Sequence, residues 1–200
     1  GDSFQIINFS LSARQLGSRP LEATPENIER GLQYLRTLEG EGGTMMIEGI
    51  KAALDFPHDP ERLRFVCFLT DGFIGNEAEI LGEVHRRIRA TRIFSFGVGS
   101  SGNRYLLDHM AKAGRGTVAY LGSRDDSAKV MDAFFTRISY PGLTDIAIDW
   151  GGLQVSEVFP RLTPDLFVGR PVIVTGRFQG IATAPIRVTG KVAGQSLDFS

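Results

Sequence analysis

Apolar positions along the first two-thirds of the chain switch repeatedly between a strand-like and a helix-like period. Phe4 to Phe9 reads as a strand. Ile28, Leu32, Leu35 and Leu38 follow at helical spacing, opened by Thr24-Pro25-Glu26 and stopped by Gly40. Thr is a good cap, Pro fits the first helical position, and Glu suits the positive helix end. A second amphipathic helix carries Met46, Ile50, Ala53 and Leu54 on one face, between Gly42-Gly43-Thr44 and Pro57. Leu63 to Leu69 is almost continuously apolar, as expected of a strand buried on both faces of a parallel sheet, and it ends in Thr70-Asp71-Gly72. A helix (Leu81, Val84, Ile88), a strand (Ile93 to Val98), a helix (Leu106, Met110, Ala113) and a strand (Thr117 to Leu121) continue the series. A last helix carries Val130, Met131, Phe134, Phe135 and Ile138, with Asp125 and Asp126 at its positive end. This alternation predicts right-handed crossovers and an α/β fold with a doubly wound, mostly parallel sheet.

At Pro141-Gly142 the period changes. Ile146 to Trp150, Val155 to Phe159, Val172 to Val174 and Ile186 to Val188 are short alternating stretches, separated by Gly151-Gly152, Gly169, Gly180 and Gly194. They predict a small antiparallel β unit with hairpin turns. The expected division is residues 1–140 for the α/β domain and 141–200 for a β-rich unit, part of a β-sandwich-like module. A unit of about 60 residues is too small to be comfortable alone.

Composition narrows the function classes. With 42% hydrophobic and 22% charged residues the 200-residue chain is globular rather than disordered. Its 22 Lys+Arg against 23 Asp+Glu offer no long-range attraction to nucleic acid or anionic lipid, so neither is an expected partner. No apolar run approaches the ~18 residues of a membrane span. Cys67 lies within Phe65-Val66-Cys67-Phe68-Leu69 and reads as a small buried hydrophobe. The chain enters its first strand directly after Gly1-Asp2-Ser3, without an initiator Met or apolar leader, and reads as an excised piece of a longer protein.

Open α/β sheets bind ligands outside the carboxyl ends of their strands, and two loops there carry candidate chemistry. Gly42-Gly43-Thr44 and Thr70-Asp71-Gly72 offer a hydroxyl and a carboxylate, hard donors suited to Mg²⁺, Mn²⁺ or Ca²⁺. The same residues can serve as a helix cap at Thr44 and a chain turn at Asp71-Gly72. Gly97-Val98-Gly99-Ser100-Ser101-Gly102 is a literal dinucleotide fingerprint between a strand and a helix, with Arg124 and Asp125 as candidate ribose contacts. It supports an alternative reading as an NAD(P)-dependent oxidoreductase. Its late position in the chain and the Asn103-Arg104 that follows count against it. His58, His85 and His109 are scattered and read as solvated. Arg86, Arg87, Arg89 and Arg92 read as a basic helix end complementing the dipole. With no G-x-S-x-G elbow and Cys67 in mid-strand, no catalytic nucleophile is recognisable and an enzyme is not expected.

Taken in order, Asp2-Ser3-Phe4-Gln5-Ile6-Ile7-Asn8-Phe9-Ser10, Gly42-Gly43-Thr44, Phe68-Leu69-Thr70-Asp71-Gly72 and Ile93-Phe94-Ser95-Phe96-Gly97-Val98-Gly99 resemble a von Willebrand factor A-type domain. Asp126-Ser127-Ala128, Phe134-Phe135, Pro160, Pro164-Asp165-Leu166-Phe167-Val168-Gly169 and Val174-Thr175-Gly176-Arg177-Phe178 look like inter-alpha-trypsin inhibitor heavy chains and their bacterial surface relatives. The resemblance implies binding, not catalysis: a secreted or cell-surface adhesion module for a protein or extracellular matrix ligand. It implies a metal-ion-dependent adhesion site whose cation is completed by an acidic group of the partner. Thr44 matches the direct hydroxyl ligand and Asp71 the carboxylate acting through water, while Gly97 to Gly102 becomes a strand-to-loop turn. The family's Asp-x-Ser-x-Ser element, on the first strand and the loop after it, is absent and belongs upstream of residue 1. Mg²⁺ or Mn²⁺ is therefore expected in the intact protein and none in this fragment. The missing strand would lie between Phe4–Phe9 and Leu63–Leu69; either these two close up and pair, the expected outcome, or a strand from another chain fills the gap.

Overall fold

A computed structural model of the chain describes residues 1–40, 43, 45–71, 75–99, 102–192 and 194–199. Two short antiparallel pairs open it. β1 (Ser3–Phe4) pairs with β4 (Leu21–Glu22), and β2 (Ile7–Phe9) pairs with β3 (Ala13–Gln15). The expected strand from Phe4 to Phe9 is thus split, and its two hairpin partners were not legible from a periodic pattern. Helix α1 (Pro25–Arg36) begins as expected, with the Thr24 hydroxyl accepting from the Asn27 N–H at 3.3 Å. Helix α2 (Met46–Asp55) crosses β2 closely enough that a Cβ on Gly49 would sit 2.7 Å from the Phe9 ring.

The centre is a parallel sheet ordered β5 (Phe65–Thr70), β6 (Arg92–Val98), β7 (Val118–Leu121). Helices α3 (Glu77–Arg87) and α4 (Arg104–Ala113) provide the crossovers, and α5 (Ser127–Ser139) follows β7. Met46, Ile50 and Leu54 of α2 join Ile80, Val84, Leu106 and Met110 of α3 and α4 over Phe68 and Ile93. On the other face Phe94 and Phe96 meet Leu121 and Phe134 of α5, with Phe94 and Phe96 edge-on to Phe134 at 5.1 and 4.7 Å. Strand β6 is therefore buried from both sides, as the middle strand of a parallel sheet covered by helices must be. Within it the Ser95 hydroxyl is buried without a hydrogen-bond partner among the described residues.

The remaining strands are antiparallel. One sheet is ordered β10 (Leu166–Phe167), β8 (Pro141–Asp149), β12 (Arg187–Val192), β13 (Gln195–Phe199). A separate ribbon pairs β9 (Gln154–Phe159) with β11 (Thr175–Gln179). Val172 to Val174 is not a strand, and Ile173 is exposed. The ladder partner of β9 is instead the polar stretch that follows. Phe167 leaves this β region to pack on Phe94 at 5.7 Å, completing the second aromatic cluster.

Three further expectations are corrected. The row Ile28, Leu32, Leu35, Leu38 does not face a core; each is 37% exposed or more. It is Gly31, along the same stripe of α1, that makes the close approach, to Phe4 and Ile6. Strand β5 is not buried on both faces, because Cys67 and Leu69 are open to solvent. Nor do β2 and β5 close up: no strand pairs with the outer edge of β5 among the described residues. Their contact is aromatic, Phe9 stacking on Phe68 at 5.2 Å, so side chains rather than backbone hydrogen bonds span the gap.

Arg92 does not extend the basic end of α3. It opens β6, its side chain 3% exposed, and donates from Nε to Asp165 at 2.6 Å and from Nη2 to Asp145 at 2.7 Å. The Asp165 carboxylate is fully buried and also accepts from the Asp145 N–H at 3.1 Å. Burial opposes the charge on Asp145, but the Arg92 hydrogen bond and the charges of Arg92 and Lys191 prevail and hold its carboxyl below the usual range.

Two outcomes are expected. Asp165→Ala leaves the buried guanidinium short of its main partner and lowers stability by about 3–5 kcal/mol, read from the urea midpoint, whereas Arg92→Met with Asp165→Leu recovers most of that loss. The Asp145 carboxyl is depressed in the folded state, so its stabilising contribution is present above its unfolded value near 4 and is lost as pH falls through the lower folded value. Asp145→Asn should flatten the stability profile below about pH 4, as followed by acid unfolding.

Candidate functional site

The carboxyl ends of β2 and β5 reach the same end of the molecule, since Phe9 and Phe68 stack near the last residues of both strands. After β2, the Ser10 carbonyl accepts from the Met45 N–H at 2.7 Å, which ties the loop leading into α2 to this end. Gly43 adopts φ +102° there, beside the Leu11 side chain. Asp71 follows Thr70 directly and is exposed. Thr44 lies outside the described residues, so the structure describes one of the two expected metal ligands and the loop anchor next to the other. No group of three or more His, Cys, Asp or Glu that could hold a metal occurs among the described residues. One exposed carboxylate does not displace water from a Mg²⁺ ion, so the described residues alone do not fit a cation site.

The glycine-rich stretch has a packing explanation at its first position. A Cβ on Gly97 would lie 2.8 Å from the Tyr120 ring, across the β6–β7 pairing, and 3.0 Å from Leu107. Gly99 takes φ +80° as the chain leaves the sheet. The α4 N-terminus, where a pyrophosphate would dock, is capped by Asn103, whose Oδ1 accepts from the Leu106 N–H at 3.1 Å. Asp125, the candidate ribose contact, turns back on its own loop and accepts from the Gly122 N–H at 2.7 Å. Tyr120 packs under Arg104, its hydroxyl donating to the Asp108 carboxylate at 3.1 Å, and burial with the Asp108 charge pushes that hydroxyl up to about 12.

The histidines form no cluster. His85 is exposed and His109 half-buried, and each places Nδ1 2.7 Å from the carbonyl four residues earlier. His58 lies 3.1 Å from Arg64. Cys67, expected to be buried, stands at the open edge of β5. Its apolar setting nonetheless pushes the thiol up to about 11. Sequence reasoning missed the Arg92–Asp165–Asp145 cluster; its one available signal was a carboxylate at Asp165 set against Leu166-Phe167.

The model of the von Willebrand factor type A domain matches residues 1–120. The chain belongs to this family. Domains of this kind are in general protein-interaction modules rather than enzymes. A von Willebrand factor A domain-containing protein of Dictyostelium discoideum is 28% identical over 165 residues, covering 82% of this chain and 18% of that protein. Human inter-alpha-trypsin inhibitor heavy chain H4 is 26% identical over 213 residues, covering 99% of this chain and 23% of its own. The chain thus spans about a fifth of the length of these two curated relatives. Among solved structures, a von Willebrand factor type A protein from Catenulispora acidiphila superposes with a TM-score of 0.70 at 21% identity, covering 99% of this chain and 55% of that one. A mussel byssus matrix protein whose metal-ion-dependent adhesion site is occupied by zinc superposes with a TM-score of 0.55 at 17% identity, over 75% of this chain and 38% of that one.

Two measurements check this description. Gly97→Ala should destabilise the fold by about 1–3 kcal/mol in thermal unfolding, because neither Tyr120 nor Leu107 can retreat without opening the β6–β7 layer. Alkylation of Cys67 by iodoacetamide should be slow at pH 8 and gain rate up to about pH 11, unlike an ordinary exposed thiol, whose thiolate forms near pH ~8.5.

Proposed function

We propose that the chain is the larger part of a secreted or cell-surface interaction module whose contact with a protein or extracellular matrix ligand is completed by a divalent cation, Mg²⁺ or Mn²⁺. Its residues 1–140 make the A-type domain and 141–200 a β-rich unit that accompanies it. The observation that carries this reading is the exposed Asp71 immediately after β5, at the end of the sheet where the loop entering α2 is tied to the end of β2. Thr44 supplies a hydroxyl directly and Asp71 a carboxylate through water. Two such donors do not outcompete bulk water around Mg²⁺. The remaining ligands then come from residues outside this sequence, an Asp-x-Ser-x-Ser element upstream, and an acidic group of the partner takes the last position. Zinc at the corresponding motif of the byssus protein is consistent with such a site. The reading needs no catalytic group.

The deciding measurement is calorimetry on a protein extended upstream to include that element. It should bind Mg²⁺ or Mn²⁺, and Asp71→Ala should weaken binding by about 10–100-fold, the usual effect of removing a group that orients the inner ligands. An upstream sequence without Asp-x-Ser-x-Ser, or tight Mg²⁺ binding by the present chain alone, would falsify the assignment. Saturable micromolar binding of NADH, followed by its fluorescence, would instead favour the oxidoreductase reading.

A further inference from the structure

At the amino ends of β5 and β6, away from Asp71, lies a hollow of about 390 Å³. It is lined by the chain just after α2, by Arg64 before β5, and by the end of α3 with Thr91 before β6. Four guanidinium groups face it, from Arg64, Arg86, Arg87 and Arg89, together with His58 and a single carboxylate, Asp55.

These cations are not equally engaged. Arg87 donates to Glu83 at 2.8 Å and also to Asp55, so two carboxylates hold it in place. Arg86 donates to the other Glu83 oxygen at 2.6 Å but keeps 66% of its side chain exposed. Arg64 spends its donors on the carbonyls of Ala53 and Leu54, which end α2, and so screens the negative helix end from the hollow. Burial lowers the Arg64 pKa and Asp55 opposes that change; a further anion would act in the same direction as Asp55. Arg89 is exposed and makes no hydrogen bond or ion pair among the described residues. It also sits at φ +45°, the left-handed position just past a helix that glycine usually takes. Asp55 and Glu83 together balance two of the four arginine charges, leaving two facing the hollow.

We propose that this hollow is an anion site, selective for a doubly charged tetrahedral oxyanion such as inorganic phosphate or sulfate, which Arg86 and Arg89 hold, while Arg64 and His58, 3.1 Å from each other, line the hollow with them. The guanidinium fork matches the oxygens of such a group, and a dianion balances the two unpaired charges. The volume exceeds that of the oxyanion itself and falls in the range of small-ligand sites, so the natural ligand carries the group as a phosphate monoester, which keeps two charges where a sulfate ester keeps one.

The test uses the present chain at constant ionic strength, with inorganic sulfate, inorganic phosphate and perchlorate as probes followed by amide chemical shifts. Sulfate and phosphate should each bind saturably with a Kd of about millimolar order, shifting residues of the hollow and not the Asp71 end. Perchlorate, tetrahedral but singly charged, should bind at least about tenfold more weakly. Arg86→Ala with Arg89→Ala should cost at least about tenfold in affinity, while Arg36→Ala with Arg62→Ala, which removes the same charge elsewhere, should not. Arg89→Gly separates site from fold: it relieves the left-handed residue, so the melting temperature should hold or rise while anion affinity falls. Non-saturable shifts, equal binding of perchlorate, equal loss in the two double variants, or unchanged affinity in Arg89→Gly would each overturn the proposal.

Discussion

A guanidinium with no access to water must be matched where it lies, and that requirement at Arg92 organises this molecule. Arg92 starts the middle strand of the parallel sheet, and its matching carboxylate, Asp165, comes from far along the chain. Asp145 joins them from β8 at φ +52° and gathers Arg115 at 3.3 Å and Lys191 at 3.5 Å around itself. Charge alone gains little in a buried pair, because desolvation consumes most of the attraction; what such a pair supplies is a unique geometry. Here it fixes where the antiparallel strands meet the sheet, and Phe167, two residues beyond Asp165, enters the aromatic cluster at the position that follows.

Much of this architecture was legible because the relevant partners are local. Helix α1 starts at Thr24-Pro25 since capping needs only the next three residues, and α2 buries Met46, Ile50 and Leu54 as their spacing dictates. The failures share a cause. Periodicity reports that a residue is apolar, not that something covers it, so Leu69 and the Ile28–Leu38 row read as core and are exposed. Arg92 read as a helix-end cation because the residues before it are arginines, whereas its environment is set by Asp165. The candidate site was visible as residue types, a Gly-Gly-Thr and a Thr-Asp-Gly, because turns and strand ends leave local signals. The arginine-lined hollow was not, since it assembles the ends of two helices and the starts of two strands that no short motif joins.

The two ends of the parallel sheet differ in chemical character. At the carboxyl end the exposed group is Asp71, beside turns built from glycine. At the amino end guanidinium groups outnumber the one carboxylate, Asp55, and the carbonyls that end α2 are already occupied by Arg64. In a doubly wound sheet helix C-termini and strand N-termini share one end, so arginines placed there offset a negative field that the fold itself creates.

The insertion of Phe167 also bears on when this protein can finish folding. Arg92 and Asp165 are 73 positions apart, and the ring at 167 closes a cluster whose other aromatic members end at Phe134. Contacts of such long span form late, because the intervening chain must lose its freedom first. A ribosome that has released everything through α5 has therefore released a sheet with one aromatic seat vacant and one interior charge uncompensated. Residues 141–200 thus act as the closing piece of residues 1–140, and a nascent chain stalled between them presents an unfinished core to chaperones and proteases.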